Sequence, residues 1–351
     1  MNILQKRQSG VPVTEHASPT DRPPPRRARR IARRTGIALV AVFTVAGVVA
    51  TGQFFFGAPG VGHFRSIDGR AEYVAAYEKA MAALPTPTAT HDVTTAFGTV
   101  RAYEWSSPER ADTVPVVLVP GRSSGVPMWT ENLPGFLAHH RVLAFDALGD
   151  AGLSVQGVPL ASTDDQALWI ADALAQLDAD DAHVVGHSFG GASAAAYARH
   201  FPDNVRSLTL LEPALTFAHP PARMLWWAAV STLPGIPDGW RHTALGKVGG
   251  VDDHDPTDDT AAMIEQASRH FSAALPTPSP LGDDDLRALT MPTYVAIAER
   301  DSLAGGEQAA DRARELPRAV VHVFPDTTHS LPMQAKDRLE AELPAFWRAA
   351  E

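Results

Sequence analysis

Gly186-His187-Ser188-Phe189-Gly190-Gly191 carries the strongest chemical signal in this 351-residue chain. It follows the short apolar run Ala182-His183-Val184-Val185 and leads directly into an Ala-rich helical stretch, Gly191–His200. A serine held on a sharp strand-to-helix turn, flanked by residues too small to clash, has its hydroxyl clear of the backbone. The helix start beyond it aims backbone N–H groups at any developing negative charge. That pattern suits nucleophilic acyl transfer. The alternative, a Gly-rich turn with no chemistry, fits the strand–turn–helix context poorly. A serine hydroxyl is a weak nucleophile until a base takes its proton, so one of the 14 histidines must serve it. There is no cysteine, which excludes thiolate nucleophiles, disulfides and thiolate metal sites. No H-E-x-x-H occurs and the histidines lack ligand spacing, so no metal and no other cofactor is expected.

The elements around this motif alternate. Buried-strand patterns at Val114–Val119, Arg141–Phe145, Ala182–Val185, Ser207–Leu211, Thr293–Ala298 and Ala319–Phe324 are separated by stretches that include helical ones at Asp164–Leu177 and Gly191–His200. Such alternation predicts an α/β fold, a mostly parallel central sheet flanked by helices. Before it, His91–Phe97 and Thr99–Trp105 read as a hairpin about Gly98. Ala71 to Leu84 reads as an amphipathic helix with Tyr73, Tyr77, Ala80, Met81 and Leu84 near one face. From about 217 to 287 the rhythm breaks. This segment is too long for a plain connection and should carry its own helices, as a lid over the sheet's C-terminal edge or as a peripheral insertion. Its Met224, Leu225, Trp226, Trp227 and Trp240 are either core or the lining of an apolar substrate pocket, with Trp226 and Trp227 the substrate-binding candidates.

From about Thr94 onward the chain resembles the α/β-hydrolases, in particular a bacterial subgroup of serine esterases. Beyond the G-x-S-x-G turn, three segments carry the likeness. Val116-Val117-Leu118-Val119-Pro120-Gly121-Arg122 resembles the strand and H-G-x loop of the oxyanion hole, with Pro120 in place of the usual histidine. Phe145-Asp146-Ala147-Leu148-Gly149-Asp150-Ala151-Gly152-Leu153-Ser154 resembles a D-x-x-G-x-G-x-S turn with one extra residue. Glu212-Pro213-Ala214 resembles the end of the strand after the nucleophile. The resemblance implies an α/β-hydrolase fold over 94–351 with a helical lid at about 217–287. It also implies oxyanion donors at the amides of Phe189 and Arg122. His329, in Asp326-Thr327-Thr328-His329-Ser330, stands where the family carries its base, and Asp301, after strand Thr293–Ala298, where it carries the acid that orients that base. Glu299 and Glu212 compete with Asp301, since some hydrolases place the acid on the preceding strand. His322 reads as structural, and His187 as pointing away from the hydroxyl. A serine at the nucleophile position argues against a dehalogenase or epoxide hydrolase of this fold.

Charge is divided unevenly along the chain. Residues 1–35 hold nine Lys/Arg against two acidic residues, a net of +7, and the remainder holds 21 against 38, a net of -17. An acidic body disfavours nucleic acid as a partner. The basic, Pro-rich segment 1–35 reads as a disordered cytoplasmic tail. Gly36 to Phe56 is an uncharged apolar run of about the 20 residues needed for a single transmembrane helix, an uncleaved anchor or a signal segment. Residues 57–93 then form a linker and the amphipathic helix. By the positive-inside rule the catalytic body lies outside the cytoplasm, at the cell membrane or secreted if the segment is cleaved. The function expected is a carboxylesterase-like serine hydrolase acting on a small-molecule acyl substrate through an acyl-enzyme. The alternatives are an acyltransferase, amidase, C–C hydrolase or perhydrolase with the same triad, and a non-catalytic binding protein on the fold.

Overall fold

The computed structural model describes residues 60–251 and 257–351. The apolar run 36–56, the tail before it and part of the acidic stretch 252–259 lie outside the described residues. Among the described residues no helix is long and apolar enough to cross a membrane.

Eight strands make the main sheet: β1 (Ala89–Thr95), β2 (Gly98–Trp105), β3 (Val116–Val119), β4 (Val142–Phe145), β5 (Ala182–His187), β6 (Val205–Leu211), β7 (Thr293–Ala298) and β8 (Ala319–Phe324). Their spatial order is β1-β2-β4-β3-β5-β6-β7-β8, and a two-residue strand, Val155–Gln156, pairs beside β2. The ladders from β4 to β8 are all parallel, and β2 is antiparallel to both β1 and β4. β3, β4, β5 and β7 are buried along their whole length, as continuous Val/Ile/Leu/Ala runs require when helices cover both faces.

One face of the sheet packs under α2 (Thr163–Gln176) and α3 (Phe189–His200), where Trp169, Ile170, Leu174 and Tyr197 are fully buried. The other face packs Trp129, Leu133 and Phe136 with Leu339, Leu343 and Trp347 of a C-terminal helix, Lys336–Arg348. Each such large side chain contributes roughly 1.5–3 kcal/mol through burial. The parallel connections bring the ends of β3, β5, β6, β7 and β8 to one edge, where the candidate site residues follow their strands.

The amphipathic helix α1 (Ile67–Met81) buries Tyr73, Tyr77 and Ala80 as its periodicity predicts. Between β6 and β7 the inserted segment forms α4 (Ala222–Thr232), α5 (Asp238–Gly249) and α6 (Asp259–His270). Met263 and Ala267 of α6 pack on Tyr73 and Tyr77 of α1, and His63–Phe64 pairs antiparallel with Phe271–Ser272. Arg241 is buried inside the insertion, donating to the carbonyls of Ser231 and Leu233 and to Ser268 Oγ, so it ties α4, α5 and α6 together.

Candidate active site

Ser188 terminates β5 and begins α3 at φ +53, ψ −122, a conformation that costs a non-glycine residue of order 1–3 kcal/mol. The surrounding glycines explain how the turn closes. A Cβ on Gly186 would meet the Gly190 carbonyl oxygen at 2.5 Å, and one on Gly190 would meet the Pro120 carbonyl oxygen at 2.3 Å. The turn is pinned by Ser188 N–H donating to Leu211 O and by Ala214 N–H donating to Ser188 O. Backbone bonds therefore fix Ser188 to the end of β6, the segment that carries Glu212.

His329, on the loop after β8, accepts Ser188 Oγ–H at Nε2 over 2.8 Å. Its Nδ1–H donates to Glu212 Oε2 at 3.0 Å. Ser188 and His329 are 8% and 7% exposed, and Glu212 is fully buried. Four further donors hold that carboxylate: Ala298 N–H (2.7 Å) and Ser302 Oγ–H (2.7 Å) on Oε1, Leu303 N–H (3.1 Å) and Ala304 N–H (3.4 Å) on Oε2. A buried carboxylate needs such a set of donors to stay charged beside an imidazole. The donors all come from the end of β7 and the loop after it, where Asp301 itself sits.

Asp301 is displaced from the role expected of it. It lies at φ +44 in that loop and pairs with Arg223 of α4 at 2.9 Å, both side chains well exposed. Glu212, also left-handed at φ +48, takes the place next to His329. The loop after β7 contributes its amides and Ser302 to the site instead of its acid. Glu299 accepts from Asp326 N–H on the surface, so neither residue reaches His329.

His187 points away from the Ser188 hydroxyl. Its Nε2–H donates to the His329 carbonyl oxygen at 3.0 Å, and its ring lies 4.9 Å from the His329 ring. Burial, reinforced by the neighbouring His329, pushes the His187 imidazole down to about 3, so it stays neutral and acts as a fixed donor to the base loop. Thr328 and Ser330 flank His329, and both hydroxyls donate to the carbonyl of Gly249 at the end of α5, each at 2.8 Å. The insertion is thus latched to the loop that carries His329. Ser302, Thr328 and Ser330 have no motif spacing that would single them out in the sequence.

Arg122 and Phe189, the two residues expected to supply oxyanion amides, adjoin the elbow. A Cβ on Gly121 would lie 3.2 Å from Ser188 Cβ, so the Arg122 loop abuts the elbow, and Phe189 is the first residue of α3. Behind that loop Asp150 accepts from Ser123 N–H at 2.6 Å. Asp146 accepts from Val126 N–H and Leu153 N–H, and burial pushes it up to about 6. The Arg122 side chain is exposed. In α4, Trp226 is exposed and Trp227 half-buried. No hydrogen bond or ring contact among the described residues joins either to Ser188, Glu212 or His329.

The model of the alpha/beta hydrolase family matches residues 116–342. The chain belongs to that family. The hydrolase is 24% identical over 301 residues to an uncharacterized carboxylesterase of Bacillus subtilis (strain 168), covering 80% of this chain and 94% of that protein. It is 27% identical over 274 residues to a 2-hydroxymuconate semialdehyde hydrolase of Pseudomonas putida, covering 71% and 92%. Among solved structures, naproxen esterase (carboxylesterase NP) from Bacillus subtilis superposes with a TM-score of 0.71 at 20% identity, over 81% of this chain and 99% of that one.

Proposed function

We propose that this hydrolase is a serine carboxylesterase working through Ser188, His329 and Glu212. His329 Nε2 takes the Ser188 proton as Oγ attacks the acyl carbonyl. Glu212 keeps the Nδ1–H tautomer and stabilises the imidazolium that forms. The Arg122 and Phe189 amides receive the oxyanion, a donor pair in which one member is worth roughly 3–4 kcal/mol. The protonated His329 then gives its proton to the leaving alcohol. Water, activated by the same imidazole, attacks the acyl-enzyme and restores Ser188. The observation that carries this reading is the unbroken hydrogen-bonded line from Ser188 Oγ through His329 to Glu212. The names of the carboxylesterase relatives agree with it.

Leu225, Trp226, Leu233 and Trp240 stand exposed on the inserted segment, which favours an ester with an apolar acyl group. The apolar run 36–56 extends the proposal to a membrane-anchored enzyme with its body outside the cytoplasm. Retention of the full chain in carbonate-washed membranes checks that part, and release into the wash would remove it.

Nitrophenyl esters of increasing chain length, tested beside Ser188→Ala, check the mechanism. Turnover and phosphonate labelling, both lost in the variant, are expected. Folded wild type that shows neither would return the chain to the class of non-catalytic binding proteins on this fold.

A further inference from the structure

At the opposite edge of the sheet from Ser188, two buried histidines and one carboxylate converge. His183 lies near the start of β5, His140 lies just before β4, and Glu351 follows the helix Lys336–Arg348. One ring nitrogen from each histidine and one carboxylate oxygen lie within 4.8 Å of one another. The histidine side chains are 0% and 4% exposed, while Glu351 is 39% exposed. In each ring Nδ1 is already engaged: His140 Nδ1–H with the Val114 carbonyl oxygen at 3.0 Å, His183 Nδ1 with Ser207 Oγ at 2.8 Å. In each ring Nε2 is buried with no hydrogen-bond partner among the described residues. His183 Nε2 faces Glu351 Oε1 at 3.6 Å, too far for a hydrogen bond. Glu351 Oε1 lies 4.0 Å from His140 Nδ1.

Two buried imidazoles, each with an orphaned nitrogen, close to one carboxylate are an expensive arrangement for a protein interior. A bound cation would resolve it. The pattern is that of metal-ligating histidines, whose other nitrogen is held by a carbonyl or hydroxyl that fixes the ring. We propose that His140, His183 and Glu351 form a binding site for a divalent transition metal of the Zn2+ class. An N2O donor set of two imidazoles and a carboxylate suits Zn2+ better than Mg2+ or Ca2+.

In a tetrahedral site with bonds of about 2.0–2.1 Å, donor atoms sit about 3.4 Å apart. His183 Nε2 and Glu351 Oε1 are near that spacing already. Trp347 packs against both imidazoles, and Glu351 is the exposed member of the three. The Arg206 guanidinium, whose charge acts on His183, is paired with the Asp181 carboxylate. Arg206 and Asp181 line a surface depression of about 400 Å³ together with Asp203 and Ala350, the residue before Glu351. Spacing in the sequence hides the site because its three ligands come from three separate elements. β5 is six residues long, so the site lies roughly 16–20 Å from Ser188. Its effect is on stability, by pinning residue 351 to the sheet.

The test uses the tag-free full chain in detergent, stripped with a chelator. Titration with ZnCl2 by calorimetry, and with Co2+ by visible absorption, is expected to show one ion per chain with tetrahedral Co2+ bands and a raised Tm. Glu351→Gln should weaken binding about tenfold or more, and His183→Gln should abolish it. Ester turnover is expected to be unchanged by the ion. No saturable binding, or binding that Glu351→Gln leaves unchanged, overturns the proposal. If His183→Gln does not fold, Glu351→Gln decides alone, because its side chain is half-exposed and outside the core.

Discussion

Replacing Glu212 by Gln, with Asp301→Asn as its partner experiment, separates the two acids that follow neighbouring strands. Glu212 accepts five hydrogen bonds, two at Oε1 and three at Oε2. A Gln side chain has the same shape but only one acceptor oxygen. If its NH2 takes the Oε2 place, it faces Leu303 N–H, Ala304 N–H and His329 Nδ1–H, three donors against a donor. If it takes the Oε1 place, it opposes Ala298 N–H, and only Ser302 can rotate to accept. Either orientation leaves a buried donor unsatisfied, at a stability cost of about 1–3 kcal/mol. The catalytic cost is larger. Without the negative charge, the His329 imidazolium formed during attack loses its buried partner and the Nδ1–H tautomer loses its anchor. The analogous change in serine proteases costs roughly 10⁴ in kcat, so about 10³–10⁴ is expected here, or about 4–5.5 kcal/mol of barrier. Asp301→Asn breaks only an exposed pair with Arg223, worth about 0–1 kcal/mol, and should leave kcat within about twofold. The assay is kcat for a nitrophenyl ester, read beside circular dichroism and Tm to confirm folding. A folded Glu212→Gln that keeps its activity, together with a large loss in Asp301→Asn, would refute the assignment.

Gly190→Ala places a Cβ 2.3 Å from the Pro120 carbonyl oxygen, so stability should fall by roughly 3 kcal/mol in urea unfolding and turnover should collapse. An Ala variant with wild-type stability would show that the elbow has slack. Thr328→Val with Ser330→Ala removes both bonds to Gly249 O; about 2 kcal/mol of stability should be lost, with faster hydrogen exchange across 238–251. Unchanged exchange there would mean the latch carries no load. His187 remains neutral in the folded protein down to about 3, while in the unfolded chain it takes up a proton below about 6.5. Stability therefore drops as pH falls below 6.5, and between pH 7 and 5 His187 should contribute about 2 kcal/mol of that loss. Chemical denaturation at the two pH values, with His187→Asn losing correspondingly less, checks the sign. Equal losses in both proteins would contradict it.

Much of this site is local, and so it is legible in the sequence. The strand–turn–helix about Ser188 needs only small residues at 186, 190 and 191 and a buried strand before them, which are properties of a short contiguous segment. The loop with His329 is recognisable by its likeness to the family and by its place after the last strand. The alternating apolar runs predicted β3 to β8, because strands covered by helices on both faces are mostly apolar, as the fully buried β3, β4 and β7 show. The amphipathic face of α1 was legible for the same kind of reason, although its partner was not: nothing in residues 67–81 says that Met263 and Ala267 will lie against Tyr73 and Tyr77.

The choice of acid was a tertiary decision. Glu212 and Asp301 both follow strands that end at the site, and β6 and β7 are adjacent in the sheet. Both have positive φ, so local conformation does not rank them. What ranks them is the set of groups each meets. Arg223, on the inserted α4, draws Asp301 outward, while Ala298, Ser302, Leu303 and Ala304 turn four donors inward onto Glu212. The same holds at the far edge of the sheet, where His140, His183 and Glu351 are separated by 43 and 168 residues and meet only because β4, β5 and the helix Lys336–Arg348 pack together. By itself the sequence determined the strand–turn–helix about Ser188 and the layered fold, since short-range sterics and hydrophobic periodicity act along the chain. Only the tertiary structure decided which carboxylate completes the site, because a buried charge goes where its hydrogen-bond donors are, and those donors come from another strand.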